Sequence, residues 1–531
     1  MRPMDREPIS GPVVAPSRED SIVTGASQLV GGPVGRHAVF GRGGFWTPAR
    51  VLIAMVLATC CLGWAQKLPC RNPANWQHEF QYTRLCYSDV EALYFSENLV
   101  SGQHPYLGHE VEYPVIIGGL MQAGSSLAHL FPTGEQAQRF FDMTALLLTV
   151  AAIALVLATS ATAGRRRPWD AALVALSPVL LFHAFTNWDL AATAFAALGL
   201  LAWARRRPVW AGVFLGLGVA TKLYPLLFLV PLFFLCLRAE RLRQWVTTAA
   251  STVGTAVLAY LPMLLFTPVY GIDPQRASGR VVVAPSIWTT LHHHGGWSGV
   301  RRALAGVPFL GTTVPGDCTA HNGLLRFFDL NRTRPADFDS LYYAIQHNAG
   351  HHFDTGAGIC YSPGSLNAAV GIGVLVVLGL VAILILDAPR RPRVAQVLFL
   401  VVAGFLLVNK VDSPQYVIWL IPLAALARPK WGAFLIWQAT EIALLVLRFM
   451  YFTRYAGGDR VGIDFGWFEG AVIARDAALL LLMGLVVREV LQPERDVVRK
   501  HGEDDPAGGV LDGAPDRPER EPRRSPASAT A

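Results

Sequence analysis

The sequence predicts an all-α polytopic membrane protein: a bundle of about twelve spanning helices with two large loops on one face. Three observations predict it. Of the 531 residues 52% are hydrophobic and only 16% charged, against about 25% charged in soluble domains, and the mean hydropathy is +0.36. Apolar runs near 20 residues recur along the chain, long enough as helices to cross ~30 Å of hydrocarbon. Arginine clusters recur between those runs and give the bundle an orientation.

Taken in order, residues 1–47 are rich in Gly, Pro and Ser with mixed charge and read as a disordered tail. That tail is too long and too weakly apolar to open a cleaved signal peptide, so residues 49–66 read as a retained anchor. Further spans fall at 140–163, 169–184, 187–204, 208–221, 223–238, 245–266, 366–387, 394–409, 414–427, 431–451 and 470–488. This count places Arg165–Arg167, Arg205–Arg207, Arg238/Arg241/Arg243, Arg390/Arg391/Arg393 and Arg428/Lys430 on the cytoplasmic side, with both termini. It requires that residues 113–131, although apolar, lie on or dip into the outer interface, because counting them would put every cluster outside. Their glycines, serines and His129 suit an interface better than lipid. The loops 67–112, extended to 139 by the interfacial helix, and 267–365 then face outward, and 48–491 forms one domain. Residues 492–531 read as a second disordered tail.

Seven cysteines test the topology. Cys60, Cys61 and Cys236 lie in spans, Cys70 and Cys86 in the first outer loop, Cys318 and Cys360 in the second. Pairs Cys70–Cys86 and Cys318–Cys360 fit an oxidising compartment, with four free thiols as the alternative.

Polar residues gather at the same face. Asp89 and Glu112 bracket the first loop; Asn187-Trp188-Asp189, Lys222, and Lys410 with Asp412, Ser413, Gln415 and Tyr416 make outer turns between spans. Acidic and basic groups at a lipid–water boundary suit a substrate with an anionic head and an apolar tail. Lys222 and Lys410 could hold a phosphate, and a carboxylate such as Asp89 could take a proton from an attacking hydroxyl. That chemistry is glycosyl transfer from a lipid-phosphate sugar. No Gly-rich nucleotide loop is present, no cofactor is needed and no nucleic-acid partner is expected.

Each residue also has a plain structural reading. Ser88 and Glu91 have capping-box spacing around Asp89. Asp189 could only cap a helix, Lys222 could snorkel, Lys410 and Asp412 could pair with each other, and Glu112 could be an ordinary loop charge. His292-His293-His294 looks like a metal tract, but adjacent histidines in regular structure cannot converge on one ion. A single one, His292, is the better candidate for a substrate contact; His351-His352 is a weaker one.

The stretch SDVEALYFSENLVSGQHPYLGHEVEYP resembles glycosyltransferase family 87, the polyprenol-phosphate-mannose-dependent mannosyltransferases of actinobacteria. Asp89, Tyr94, Gly102, Pro105, Tyr106, Glu112, Tyr113 and Pro114 match its motif, while Val115 replaces an expected second proline. The central block from Asn187 to Pro231 and NKVDSPQYVIWLIP match as well, except that Asp412 stands where an apolar residue is expected. The resemblance covers about residues 85–425. It implies a GT-C fold, an extracytoplasmic active site and an inverting, metal-independent mechanism with Asp89 as general base. Lys222, Lys410 and Tyr416 would bind the donor phosphate, and Tyr94, Tyr106, Glu112, Tyr113, Asn187, Asp189, His292 and Gln415 would contact substrate. The partners would be a polyprenyl-phosphate sugar, a glycolipid or glycan acceptor and the lipid bilayer of the plasma membrane.

Two rival classes remain at this level. A transporter or flippase of a lipid-linked sugar would keep its polar site near the midplane and show repeated halves, and no internal repeat is visible. An inactive scaffold homologue would not need Asp89, Lys222 and Lys410 intact. The acceptor, its linkage, the choice of mannose and the oligomeric state are not written in the sequence.

Overall fold

The computed structural model describes residues 20–30, 45–71, 80–272, 280–294, 321–349, 364–455 and 462–516. Among them, six helices are long and apolar enough to cross a membrane: Pro48–Cys70, Thr133–Thr162, Leu242–Phe266, Gly364–Asp387, Trp431–Arg454 and Phe465–Leu491. Two of these turn large apolar side chains outward, with Leu258 71% and Leu375 70% exposed. Apolar exposure on that scale fits a lipid-facing helix, since lipid imposes no penalty on it.

Five expected spans are shorter apolar helices, Asp189–Ala204, Pro208–Val219, Tyr224–Arg238, Val394–Val408 and Pro414–Ala427. The last two form the centre: every residue from Val417 to Ala427 is buried, as is most of Val394–Val408. At 1.5 Å per residue a 16-residue helix is only about 24 Å long, and some ends of the five lie inside the bundle, Asp189 being fully buried. Such ends can carry polar groups away from lipid.

The expected span 169–184 is not one helix. Ala172–Ala175 and Pro178–His183 are separate segments. Pro178 lacks an N–H and pushes Ser177 out of helical geometry. Gln438, fully buried, repairs the break: its Oε1 accepts from Ser177 Oγ at 2.5 Å and Val179 N at 3.2 Å.

Helix Val115–Ala128 has 14 residues, about 21 Å at 1.5 Å per residue, and belongs with the shorter apolar helices. Its first turn docks on the bundle through Ile116 N to Ala220 O at 3.0 Å. The small residues of this chain let helices approach closely. Gly212 and Gly216 seat Pro208–Val219 on Leu242–Phe266, and a Cβ at Gly216 would lie 2.6 Å from the Thr252 carbonyl oxygen.

The expected disordered C-terminal tail is ordered through Asp516. Asp496 accepts from Arg393 at 2.7 Å, Arg238 reaches Asp516 at 2.5 Å, Arg206 donates to Gly509 O at 3.1 Å, and Val394 N donates to Asp505 at 2.9 Å. Gly164 lies against Pro506, and Arg428 pairs with Glu489 at 3.0 Å. The arginine clusters therefore converge on one end of the bundle, where acidic residues of the tail neutralise them. Composition hid this, because the tail's order comes from complementary charge rather than from its own core. The N-terminal segment is likewise not wholly disordered: helix Ser21–Val30 is capped by Asp20, whose other oxygen accepts from Trp431 N at 2.9 Å.

The all-α expectation needs one amendment. Val269–Ile272 pairs antiparallel with Arg280–Ala284 and His321–Asn322, a small three-stranded sheet in the second loop. The two loops are joined by Arg326 to Glu110 at 2.8 Å, Arg334 to Glu112 at 3.5 Å, and Tyr270 Oη to Leu107 O at 3.2 Å.

Candidate active site

Asp89 is the first residue of helix Asp89–Ser96, and Ser88 caps it. Ser88 Oγ accepts from Val90 N at 3.2 Å, a tighter turn than the capping-box bond to Glu91, and donates to Phe185 O at 2.7 Å. Asp89 N donates to Thr186 O at 2.8 Å. The disulfide Cys70–Cys86 ties the end of the first long helix to this turn. Lys67 Nζ adds a bond to Tyr87 O at 2.7 Å. Cys318 and Cys360 lie outside the described residues.

Three side chains from three parts of the chain aim donors at the half-buried Asp89 carboxylate. Tyr87 Oη donates to Oδ1 at 2.7 Å, Asn187 Nδ2 to Oδ2 at 2.8 Å, and Gln415 Nε2 to Oδ2 at 3.3 Å. The Asp89 charge and burial push the Tyr87 hydroxyl well above the ordinary tyrosine range, so it remains a donor. Asn187 also donates to Tyr113 Oη at 2.8 Å.

Asp89 lines a cavity of about 150 Å³ with Lys67, His183, Gln415 and Arg448, and with a ring wall that includes Tyr82 and Phe449. A cavity of this size admits a six-membered ring.

Beside it lies a second polar cluster. Lys222 Nζ is 3.4 Å from Asp189 Oδ1, which also accepts from Trp419 Nε1 at 2.8 Å. Lys222 sits 5.2 Å from the ring centres of both Tyr113 and Tyr416. Tyr416 stacks on Trp419 at 4.2 Å, and Trp419 on Tyr224 at 4.3 Å. Lys222 is thus buried, paired with Asp189 and packed against two rings, and does not reach the cavity as a free cation.

Lys410 is elsewhere too. Its Nζ donates to the carbonyl oxygens of Arg334 at 2.7 Å and Arg332 at 3.2 Å, pinning the second loop, and burial with nearby Arg334 pushes its pKa down to about 8. It does not pair with Asp412, which instead binds Arg475 at 2.8 Å. Glu112 pairs with Arg334 at 3.5 Å, and burial raises its pKa against the pull of that arginine.

Tyr94 is fully buried and stacks on Phe140 at 4.8 Å, a packing role away from the cavity lining. Tyr106 is also buried. Its backbone is left-handed at φ 69°, and its hydroxyl donates to Tyr113 O at 3.0 Å and Pro114 O at 2.9 Å, with its ring against Gly118. It shapes the loop that carries Tyr113. His292 is exposed on helix Ile287–His294 and is not among the cavity-lining residues. Among the described residues, no three or more His, Cys, Asp or Glu side chains form a metal-binding group.

Sequence reasoning therefore placed Asp89, Asn187, Tyr113 and Gln415 together, with Asp189, Lys222 and Tyr416 adjacent. It missed Tyr87, His183 and Arg448. The signal for Arg448 was present: a charged residue inside an apolar run is costly and needs a partner or a task.

A multi-span bundle with buried polar clusters opening on one loop face defines a polytopic membrane enzyme. The chain belongs to glycosyltransferase family 87, whose model matches residues 126–409, more than half of its length, and it is a membrane glycosyltransferase. Asp89, Gln415 and Tyr416 lie outside the matched stretch. No curated protein matches the chain. Among solved structures it is similar to the archaeal oligosaccharyltransferase AglB from Archaeoglobus fulgidus, in complex with an inhibitory peptide and a dolichol-phosphate. The identity is 14% and the TM-score 0.35, covering 91% of this chain and 62% of that one. The chain thus spans less than two thirds of that protein's length.

Proposed function

We propose that this enzyme transfers a hexose, mannose being the first candidate, from a polyprenyl-phosphate donor to a cell-envelope glycolipid or glycan. The reaction would run on the extracytoplasmic face of the plasma membrane. The observation that carries the reading is Asp89: a carboxylate held by three donors on the wall of a ring-sized cavity. The opposite end of the bundle, with its arginine clusters, would face the cytoplasm with both termini.

In the reaction, the acceptor hydroxyl oxygen attacks the anomeric carbon as the carbon–oxygen bond to the phosphate breaks. The leaving polyprenyl phosphate takes the bonding pair, and Asp89 takes the hydroxyl proton. Attack opposite the leaving group inverts the anomeric centre. The donors from Tyr87, Asn187 and Gln415 fix which carboxylate oxygen is open to the acceptor. Lys222 and Asp189 support this wall from behind through Tyr113 and Tyr416.

The test is transfer by purified protein in nanodiscs, with envelope lipid extract as acceptor and several polyprenyl-phosphate sugars as donors. Labelled product from polyprenyl-phosphate mannose, absent with a nucleotide sugar, is expected. Vesicle uptake of the donor without product would replace the reading by a carrier. Glycan profiling of a deletion strain would name the acceptor and linkage.

A further inference from the structure

We infer that Arg448 is the phosphate-binding residue of this cavity, which it lines together with Asp89. The inference rests on the donor class proposed above and assigns the anion site that Lys222 and Lys410 were expected to form.

The first argument is elimination among cations. Lys222 is held by Asp189 at 3.4 Å, and Lys410 by two backbone carbonyls. Lys67 lines the cavity and donates to Tyr87 O at 2.7 Å, but its ammonium lacks the planar fork of a guanidinium. Arg448 lines the cavity with capacity to spare. A guanidinium carries five N–H donors. Among the described residues one nitrogen, Nη1, donates to Asp339 Oδ2 at 2.6 Å, while the buried Nε has no hydrogen-bond partner.

The second argument is the shape of the setting. The guanidinium lies 5.1 Å from the Phe452 ring centre, which orients its plane. Asp339 comes from the second loop and is itself fixed, because Arg475 Nη2 donates to its carbonyl oxygen at 2.8 Å. A planar fork held by a ring on one side and a carboxylate on the other is suited to bind a second tetrahedral or planar anion. Asp339 then acts as the competing anion: it neutralises the arginine when the cavity is empty and shares it when phosphate is bound.

The chemistry follows from the shared cavity. Asp89 would handle the acceptor proton while Arg448 meets the charge that builds on the departing phosphate. Two groups of opposite charge would thus serve the two ends of one displacement.

The test uses full-length protein in nanodiscs and compares binding of farnesyl phosphate with binding of farnesol. Wild type should prefer the phosphate. Arg448→Met should weaken farnesyl phosphate about tenfold or more, the loss of a charge-assisted hydrogen bond, and leave farnesol unchanged. Asp339→Asn should bind farnesyl phosphate as tightly as wild type or tighter, since it removes a competing carboxylate. A purely structural arginine gives the opposite pattern: Asp339→Asn would then weaken binding too. If Arg448→Met binds farnesyl phosphate like wild type, the assignment falls while the donor class stands. If wild type shows no preference for the phosphate, the donor class falls and the assignment with it. Where Arg448→Met does not fold, Arg448→Gln repeats the measurement, and Asp339→Asn decides by itself if neither folds.

Discussion

Asn187 donates a side-chain N–H to Asp89 Oδ2 at 2.8 Å, joining the turn before one buried helix to the first turn of another 98 residues away in sequence. Its amide is fully committed, because Nδ2 also donates to Tyr113 Oη at 2.8 Å and Oδ1 accepts from Trp188 N at 2.6 Å. The orientation of the amide is therefore set, and through it the position of the carboxylate. The residue is 1% exposed, so its task is to hold Asp89 rather than to meet substrate.

Replacing Asn187 by Ala should lower the turnover number about tenfold to a hundredfold, the scale of misplacing a reacting group by about 1 Å, while the protein stays folded. Donor affinity should change little. Asn187→Asp should be worse, since it sets a second carboxylate against Asp89. Steady-state kinetics with separate variation of donor and acceptor reads both.

The buried pair Arg475–Asp412 should behave as a unit. Arg475→Met leaves the Asp412 carboxylate buried without its partner and should cost about 3–5 kcal/mol. Asp412→Asn should cost less, because Arg475 keeps Asp476 at 2.7 Å, and replacing both should cost less than the arginine change alone. Thermal melting in detergent, compared across the two single variants and the double variant, gives the coupling. Additive losses would show that the two side chains act independently.

Asp339 gives a pH dependence of stability. Burial raises its pKa from 3.8 to about 6, opposed by Arg448. The folded protein therefore holds this proton more tightly than the unfolded chain. The contribution is complete below about pH 4 and is lost as pH rises through about 6. The melting temperature of wild type relative to Asp339→Asn should accordingly fall between those values and level off above them.

Truncation after Gln492 should destabilise the bundle and expose its arginine end to protease. It removes Asp496, a buried partner of Arg393, along with Asp505 and Asp516. Asp496→Asn alone should cost several kcal/mol, because Arg393 is 1% exposed and would be left buried with its main partner neutralised. Limited proteolysis and melting of the truncated protein check this. A truncated chain as stable as wild type would restore the picture of a free tail.

Much of the architecture was legible because hydrophobic runs long enough to cross a membrane mark its long helices directly. The convergence of Asp89, Asn187 and Gln415 was legible for the same reason: counting spans put them on one face. What the sequence hid was who holds whom. Lys410 reads as a free cation until the carbonyl oxygens of Arg332 and Arg334 are seen, and backbone acceptors leave no trace in composition. Lys222 looks equally available until Asp189 is placed beside it. Arg448 was masked by its apolar neighbours, and the C-terminal acids by a Gly- and Pro-rich setting that is usually disordered. In each case the deciding partner is distant in sequence.

The most direct test of the account is sugar transfer by Asp89→Asn in purified, folded protein, measured in a single turnover with polyprenyl-phosphate mannose. The amide keeps the shape of the side chain but cannot take the hydroxyl proton. The account predicts a rate lower by about a hundredfold to ten-thousandfold, with donor binding retained. Transfer at the wild-type rate would contradict it.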